Sequence, residues 1–326
     1  MMLADAASGP ALPYDALGKT LALLNAVVWA IALVFFKKSG DSVPPLALNL
    51  FKNTVGLILL AISLLALPLL APQWSPAIPW QMLDPARSEL WILLVSGILG
   101  IAVADTVFFF ALNRAGVGLI AIVDCLYTPF VMLFAWLLLG ERMTAVHFVG
   151  AGLIVAAVLI SSGHAPPEGR TRGQLISGVL AGVVALAIMA FGIVWAKPIL
   201  NETPVLWAAT IRFSGGTLVL AIVGCWLPGL RVLRETFTPS ATWRTTIPGA
   251  VFGAYFAMIF WIGGFSYTSA AVAGMLNQSS SVFALILATV VLRERLTKRK
   301  ISSLIIATIG VLVVIFHGEI MARFQV

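Results

Sequence analysis

The chain is expected to fold as an all-α integral membrane protein, with ten transmembrane helices in two inverted five-helix repeats. Composition is the first reason. The 326 residues are 60% hydrophobic and only 10% charged. Mean hydropathy is +1.04. A soluble domain carries about 25% charged residues, so most of this surface must face lipid. The second reason is a series of ten apolar stretches, each near the ~20 residues that cross a bilayer. The third is an internal repeat. Leu137–Thr144 (LLLGERMT) returns as Val290–Thr297 (VVLRERLT), and Glu141 and Glu294 lie 294 − 141 = 153 residues apart. The same offset carries Gly100 onto Gly253, Asp124 onto Asn277 and Phe130 onto Phe283. Upstream the offset is 160, which carries Lys37 onto Lys197, Lys52 onto Arg212 and Gly56 onto Gly216. A repeat this long, built of apolar helices, is a signature of the whole fold.

In chain order, residues 1–16 form a Pro-containing tail ahead of the first repeat, 17–163. Its apolar stretches run over 17–36, 46–70, 90–112, 117–139 and 145–163. A polar linker, 164–172, leads to the second repeat, 173–318, with stretches at 173–196, 205–227, 245–266, 270–292 and 300–317. A tail, 319–326, closes the sequence. Loops are expected at Ala71–Glu89 and Pro228–Arg244. Helices are preferred throughout, because a helix satisfies its own backbone in lipid. Pro129 removes a backbone donor inside the fourth stretch and is expected to kink it. Gly263-Gly264 is expected to weaken the eighth. The pairs Gly178/Gly182 and Gly249/Gly253 read as packing devices.

An odd number of helices per repeat inserts the second unit upside down relative to the first, the usual architecture of secondary transporters. Loops after the odd-numbered helices hold thirteen Lys and Arg, against five on the other side. The positive-inside rule then puts both termini outside, most simply across a plasma (inner) membrane. The first residues lack a basic n-region, so no cleavable signal peptide is expected.

Ionisable residues inside a span are costly and default to functional candidates. Lys52, Asp105 and Asp124 each fall about seven residues from one membrane face, or roughly 10 Å deep at 1.5 Å per residue. The shared depth suits one polar cavity and lets Lys52 neutralise a carboxylate. The alternatives are a structural ion pair or a snorkelling Lys52. In the inverted half, Arg212, Asn277 and the adjacent Gln278 form a second polar layer at mirrored depth, with snorkelling again the alternative for Arg212. Trp29, Tyr127, Trp195, Tyr255 and Trp261 lie inside spans and are candidates to line a solute cavity by stacking or cation–π contact. Ordinary packing or lipid contact is the alternative for each. Trp74, Trp80, Trp91 and Trp243 read as interfacial anchors.

Other patterns carry less. Gly116–Ala121 spells a dinucleotide fingerprint but opens a membrane span and follows no strand. Asn201-Glu202-Thr203 is a glycosylation triplet tight against the membrane. His147, His164 and His317 have no metal or nucleophile spacing. Cys125 and Cys225 sit inside apolar runs, where a disulfide is not expected.

Two five-helix repeats, each with Gly/Arg-Glu-Arg-x-Thr after its fourth helix, resemble the EamA-like branch of the drug/metabolite transporter superfamily over about 17–318. The resemblance implies a secondary carrier of small organic solutes, often an exporter of amino acids or metabolites, with a central cavity between the halves. It carries over no substrate-binding residue. Glu141 and Glu294 match the family's recurring turn. They read as structural, facing water and pairing locally with Arg142 and Arg295.

The expected function is therefore secondary active transport, by alternating access, of a small organic metabolite such as an amino acid. The partners are that solute, the lipid bilayer and a proton as candidate coupling ion. No cofactor, metal, catalytic residue or nucleic acid is expected, and no oligomeric state is readable. Two alternatives stand beside this: a polytopic membrane enzyme using Asp105 and Asp124, and a channel-like protein without alternating access.

Overall fold

The computed structural model describes residues 15–70, 90–140, 145–162, 171–226, 230–294 and 297–315, and the regular structure among them is helical. The first half holds α1 (Asp15–Gly40), α2 (Pro45–Leu70), α3 (Leu90–Gly97), α4 (Asp105–Ala115), α5 (Val117–Val123), α6 (Tyr127–Leu139) and α7 (Ala145–Ser162). The second holds α8 (Arg172–Glu202), α9 (Val205–Trp226), α10 (Leu230–Phe237), α11 (Trp243–Ala250), α12 (Ala257–Tyr267), α13 (Ala270–Asn277), α14 (Ser280–Val290) and α15 (Lys298–Ile315). A π-helix over Ile98–Ala104 fuses α3 to α4, and another over Val251–Phe256 fuses α11 to α12.

Among the described residues seven helical segments are long and apolar enough to cross a membrane. The other three expected spans are shorter or broken. α7 and α15 have 18 residues each, and the ninth stretch is interrupted at Gln278–Ser279, between α13 and α14. The exterior is apolar, with Leu65, Leu180, Leu218 and Val290 exposed, while Lys52, Asn53, Arg212 and Ser281 are buried. That inversion of a soluble protein's surface is what a lipid solvent selects. The chain is a multi-pass integral membrane protein.

Several local features recur at the offset of 153. The π-helices begin at Ile98 and Val251. Left-handed backbone occurs at Gly140 (φ 70) and Arg293 (φ 53). Packing recurs as well. α4 lies on α8 as α12 lies on α1, α6 lies on α8 as α14 lies on α1, and α2–α9 and α7–α15 are their own counterparts. A Cβ added to Gly56 would meet Ala254, and one added to Gly216 would meet Ile101, the residue 153 before Ala254.

The fourth span breaks where Pro129 requires. Its ring clashes with the carbonyl of residue i−4, Cys125, and a 3-10 turn occupies Asp124–Leu126. Gly263-Gly264 does not weaken its helix. α12 runs unbroken, and the two glycines admit Leu21 and Ala22 of α1 instead. The loop expected at 228–244 contains α10, which the flanking Pro and Gly and the four charges of the segment disguise. Phe237 at its end packs on Phe51 at 5.2 Å, and Trp243 packs on the same ring at 5.6 Å. Trp243 is thus a packing residue and not simply an interfacial anchor.

Candidate functional site

One cavity lies in the middle of the helix assembly, lined from both halves by α1, α2, the π-helices, α4, the Asp124 turn, α6, α8, α9, α12, α13 and the start of α14. It has about 80 Å³ of water-sized free space. One water needs roughly 10–15 Å³ by the same measure, so a small solute fits. The sequence places Lys52, Asp105 and Asp124 in one polar layer and Arg212, Asn277 and Gln278 in another. All six open on this single cavity, together with Trp29, Tyr127 and Trp261.

Two expected aromatics are elsewhere. Trp195 is on the flank of α8, 5.3 Å from Trp91 and stacked on Phe191 at 6.0 Å. The Tyr255 hydroxyl shares a hydrogen bond with Ser63 Oγ, 2.5 Å away. Both lie in spans, but a mid-span position fixes depth and not the direction a side chain faces. Asn25, Phe108, Met189, Met258 and Ser280 join the lining without having been singled out from sequence. Asn25 alone carried a readable signal, as an amide in the middle of an apolar stretch.

Lys52 Nζ lies 2.5 Å from Asp105 Oδ2, with both side chains buried. The ammonium also faces the Phe109 and Phe213 rings, at 5.6 and 6.0 Å from their centroids. A cation with a carboxylate and two aromatic faces is well compensated in an apolar medium. Asp105 is the first residue after the π-helix, and its N–H donates to Gly100 O, the wide i→i+5 bond. Asn49 of α2 repairs the widened turn. Its Nδ2 donates to Ile101 O at 2.8 Å and reaches Thr106 Oγ1 at 2.8 Å.

Asp124 and Asn277 occupy equivalent helix breaks. Gln278, its amide oriented by its neighbours, donates to Asp124 O and Thr128 Oγ1 at 3.2 Å each and accepts from Cys125 N at 3.2 Å. It therefore mends the backbone that Pro129 disrupts. The Asp124 carboxylate remains directed at Ser280. Asn25 Nδ2 donates to Asn277 Oδ1 at 3.0 Å, which joins the two halves across the cavity.

Arg212 is fully buried and does not snorkel. Its place is fixed by Gly97, where an added Cβ would come 2.1 Å from Arg212 O. Nη1 donates to Ser96 Oγ at 2.5 Å, and the guanidinium lies over Trp261 at 5.6 Å.

Glu294 differs from its expectation. Its two carboxylate oxygens accept from Val117 N and Gly118 N, both at 2.9 Å, and Lys300 Nζ is 3.5 Å away. A carboxylate on the first N–H groups of α5 satisfies donors that have no intrahelical partner and complements the helix dipole. The second-half turn thus clasps a first-half helix, with the Glu294 side chain partly covered. Arg295, Glu141 and Arg142 lie outside the described residues. Glu294→Gln is expected to lower thermal stability by about 1–2 kcal/mol, since an amide supplies one acceptor and no charge. Thermal unfolding of purified protein reads this, and an unchanged midpoint would discount the clasp.

Comparison with known proteins adds four findings. The chain is 28% identical over 223 residues to Protein PecM of Dickeya dadantii (strain 3937), covering 65% of this chain and 69% of PecM. It is 24% identical over 211 residues to the Uncharacterized transporter YvbV of Bacillus subtilis (strain 168), covering 64% of this chain and 63% of YvbV, just under two thirds of that relative. A solved crystal structure matches with TM-score 0.66 over 95% of this chain and 99% of that one, at 18% identity, which speaks to fold alone. The model of the EamA-like transporter family matches residues 16–163 and 176–316, on either side of the polar linker. A family of transporters accounts for a cavity of mixed charge inside a membrane protein, and this chain belongs to the EamA-like transporter family of the drug/metabolite transporter superfamily.

Proposed function

We propose that the protein is a secondary active exporter of a small organic metabolite, an amino acid or a related solute, working by alternating access. The observation that carries the reading is the central cavity, whose ionisable and aromatic lining comes from both halves of the chain. Its ten spans form two inverted five-helix repeats, 17–163 and 173–318, that rock about the cavity. The matched π-helices, the matched left-handed positions and the exchanged packing pairs support that symmetry. The clasp of Glu294 on α5 and the Asn25–Asn277 bond are inter-half contacts that break as one end opens. Asp124 is the candidate proton carrier, because among the described residues it makes no ion pair. Export is the direction the family resemblance favours.

Counterflow tests this reading. Sealed vesicles containing purified protein and an internal pool of unlabelled amino acids should accumulate a labelled amino acid against its gradient, which a channel cannot do. Equilibration without overshoot would reject alternating access, and no flux with any amino acid would reject the solute class.

The thirteen basic residues on one side support a cytoplasmic placement of that side. Arg114 Nη1 donates to Ser177 Oγ of α8 at 2.8 Å, and Glu294 reaches α5, so the turn after α4, the first turns of α8 and the Glu294 turn gather at one end. A reporter fused after Val326 is expected to be active outside the cytoplasm. Cytoplasmic activity from a stable fusion would invert the topology.

A further inference from the structure

We infer that Arg212 is the docking group for an anionic oxygen of the solute, so that the transported molecule is a small organic acid held by its carboxylate. The inference rests on the transporter reading above and adds the chemical class that the cavity selects.

The guanidinium is fully buried, yet two of its three nitrogens, Nε and Nη2, have no hydrogen-bond partner. A buried charged donor left unpaired is among the most costly features a protein retains. An anionic ligand in the cavity would meet that cost directly. The neighbouring carboxylate, Asp105, is already taken by Lys52 at 2.5 Å. Asp124 opens on the same cavity, but it is directed at Ser280 and bonds to no Arg212 nitrogen. Ser96 takes Nη1 and leaves the other edge of the fork free. The free edge has room, because Gly100 lies beside it. A Cβ at Gly100 would come 3.3 Å from Nη2.

Other orphaned groups line the same space. The Tyr127 hydroxyl and Asn277 Nδ2 are buried without partners. Two guanidinium nitrogens, a phenol and an amide are all able to donate, and a carboxylate is the acceptor that a guanidinium fork fits best. The cavity also limits the charge. Lys52 and Asp105 cancel, so when Asp124 carries a proton Arg212 is the one charge left to be matched among the described lining residues. A monoanion suits it, whereas a phosphate dianion would lack a second cation. The remaining wall is apolar, from Trp29, Phe108 and Trp261, and sets the solute's body against rings.

The test uses full-length protein in detergent and three acids, acetate, isovalerate and phenylacetate, each beside its primary amide. An amide keeps the shape and removes the charge. At least one acid is expected to raise the melting temperature by several degrees while its amide does not. Arg212→Met should abolish that difference. Arg212→Lys should weaken acid binding on the order of tenfold, since a point charge cannot form the fork. Tyr127→Phe keeps the ring and the packing and should weaken it less. It serves as the check if Arg212→Met does not fold. No acid outperforming its amide in the wild type, or an acid preference that survives both Arg212 and Tyr127 variants, overturns the inference. Counterflow separates it from the reading beneath it. Exchange of a solute without a carboxylate keeps the transporter and removes the anion site. An Arg212-dependent acid shift without counterflow does the reverse.

Discussion

Lys52→Met should be the most damaging single substitution in the chain, leaving a small fraction of the wild-type folded protein in the membrane. Removing one partner of a buried pair strands the other charge and costs about 3–5 kcal/mol. That is a large share of the total stability of a typical domain. Asp105 would keep a carboxylate in a cavity with no cation at bonding distance, since Arg212 is bonded to Ser96 and not to it. The double change Lys52→Met with Asp105→Asn removes both charges and should recover most of the folded yield. Neighbours that share one interaction are not additive. Fluorescence-detected size exclusion of solubilised protein measures the yield directly. A double variant as poor as the single would show that Lys52 matters for some reason other than its pairing, such as the Phe109 and Phe213 faces.

Asp124→Asn should leave the fold intact and lower transport on the order of tenfold, the equivalent of roughly 1.4 kcal/mol of lost interaction. The fold should survive for two reasons. Gln278 holds the Asp124 turn through backbone atoms, which the substitution keeps. An amide also already stands at the equivalent break, as Asn277. What the substitution removes is a group that can take up and release a proton. If Asp124 couples a proton to the solute, the dependence of flux on pH should flatten in the variant. Vesicle flux measured across a range of pH decides this. A variant with full transport at every pH would reduce Asp124 to a structural hydrogen-bonding residue.

Much of this architecture is legible in the sequence. The offset of 153 between Glu141 and Glu294 also relates the two π-helices and the two left-handed positions, which have no spelling of their own. Charge inside apolar sequence pointed to Lys52, Asp105, Asp124 and Arg212, because lipid penalises such residues wherever they occur. Direction within a span was less legible. Trp195 and Tyr255 have the depth of cavity residues but face helix neighbours, and hydropathy does not distinguish one helix face from another in a protein that is apolar both inside and out. Partners were harder still. Arg295 follows Glu294 in sequence, but the carboxylate reaches α5, about 177 residues away in the chain, and only tertiary contact reveals that.

The π-helix at Ile98–Ala104 has a consequence for what the third span can tolerate. It sets an angular phase. Along an unbroken α-helix the eight steps from Gly97 to Asp105 would turn those residues about 80° apart. A π-turn holds one extra residue, which winds the phase back by about 100° and brings the two nearly into line. The glycine that seats the Arg212 backbone and the carboxylate that holds Lys52 therefore point the same way because of a single surplus residue. Deleting any one residue between 98 and 104 would leave a perfectly good α-helix with its Gly97 contact unchanged. It would also keep Asp105 facing its lysine, because seven steps of about 100° come to about 700°, the phase the π-turn already gives, whereas a regular α-helix that kept all its residues would swing Asp105 away by about 100°. The register of this segment thus survives the loss of its surplus residue better than a relaxation of the π-turn at unchanged length, and the matching segment at Val251–Phe256 obeys the same rule.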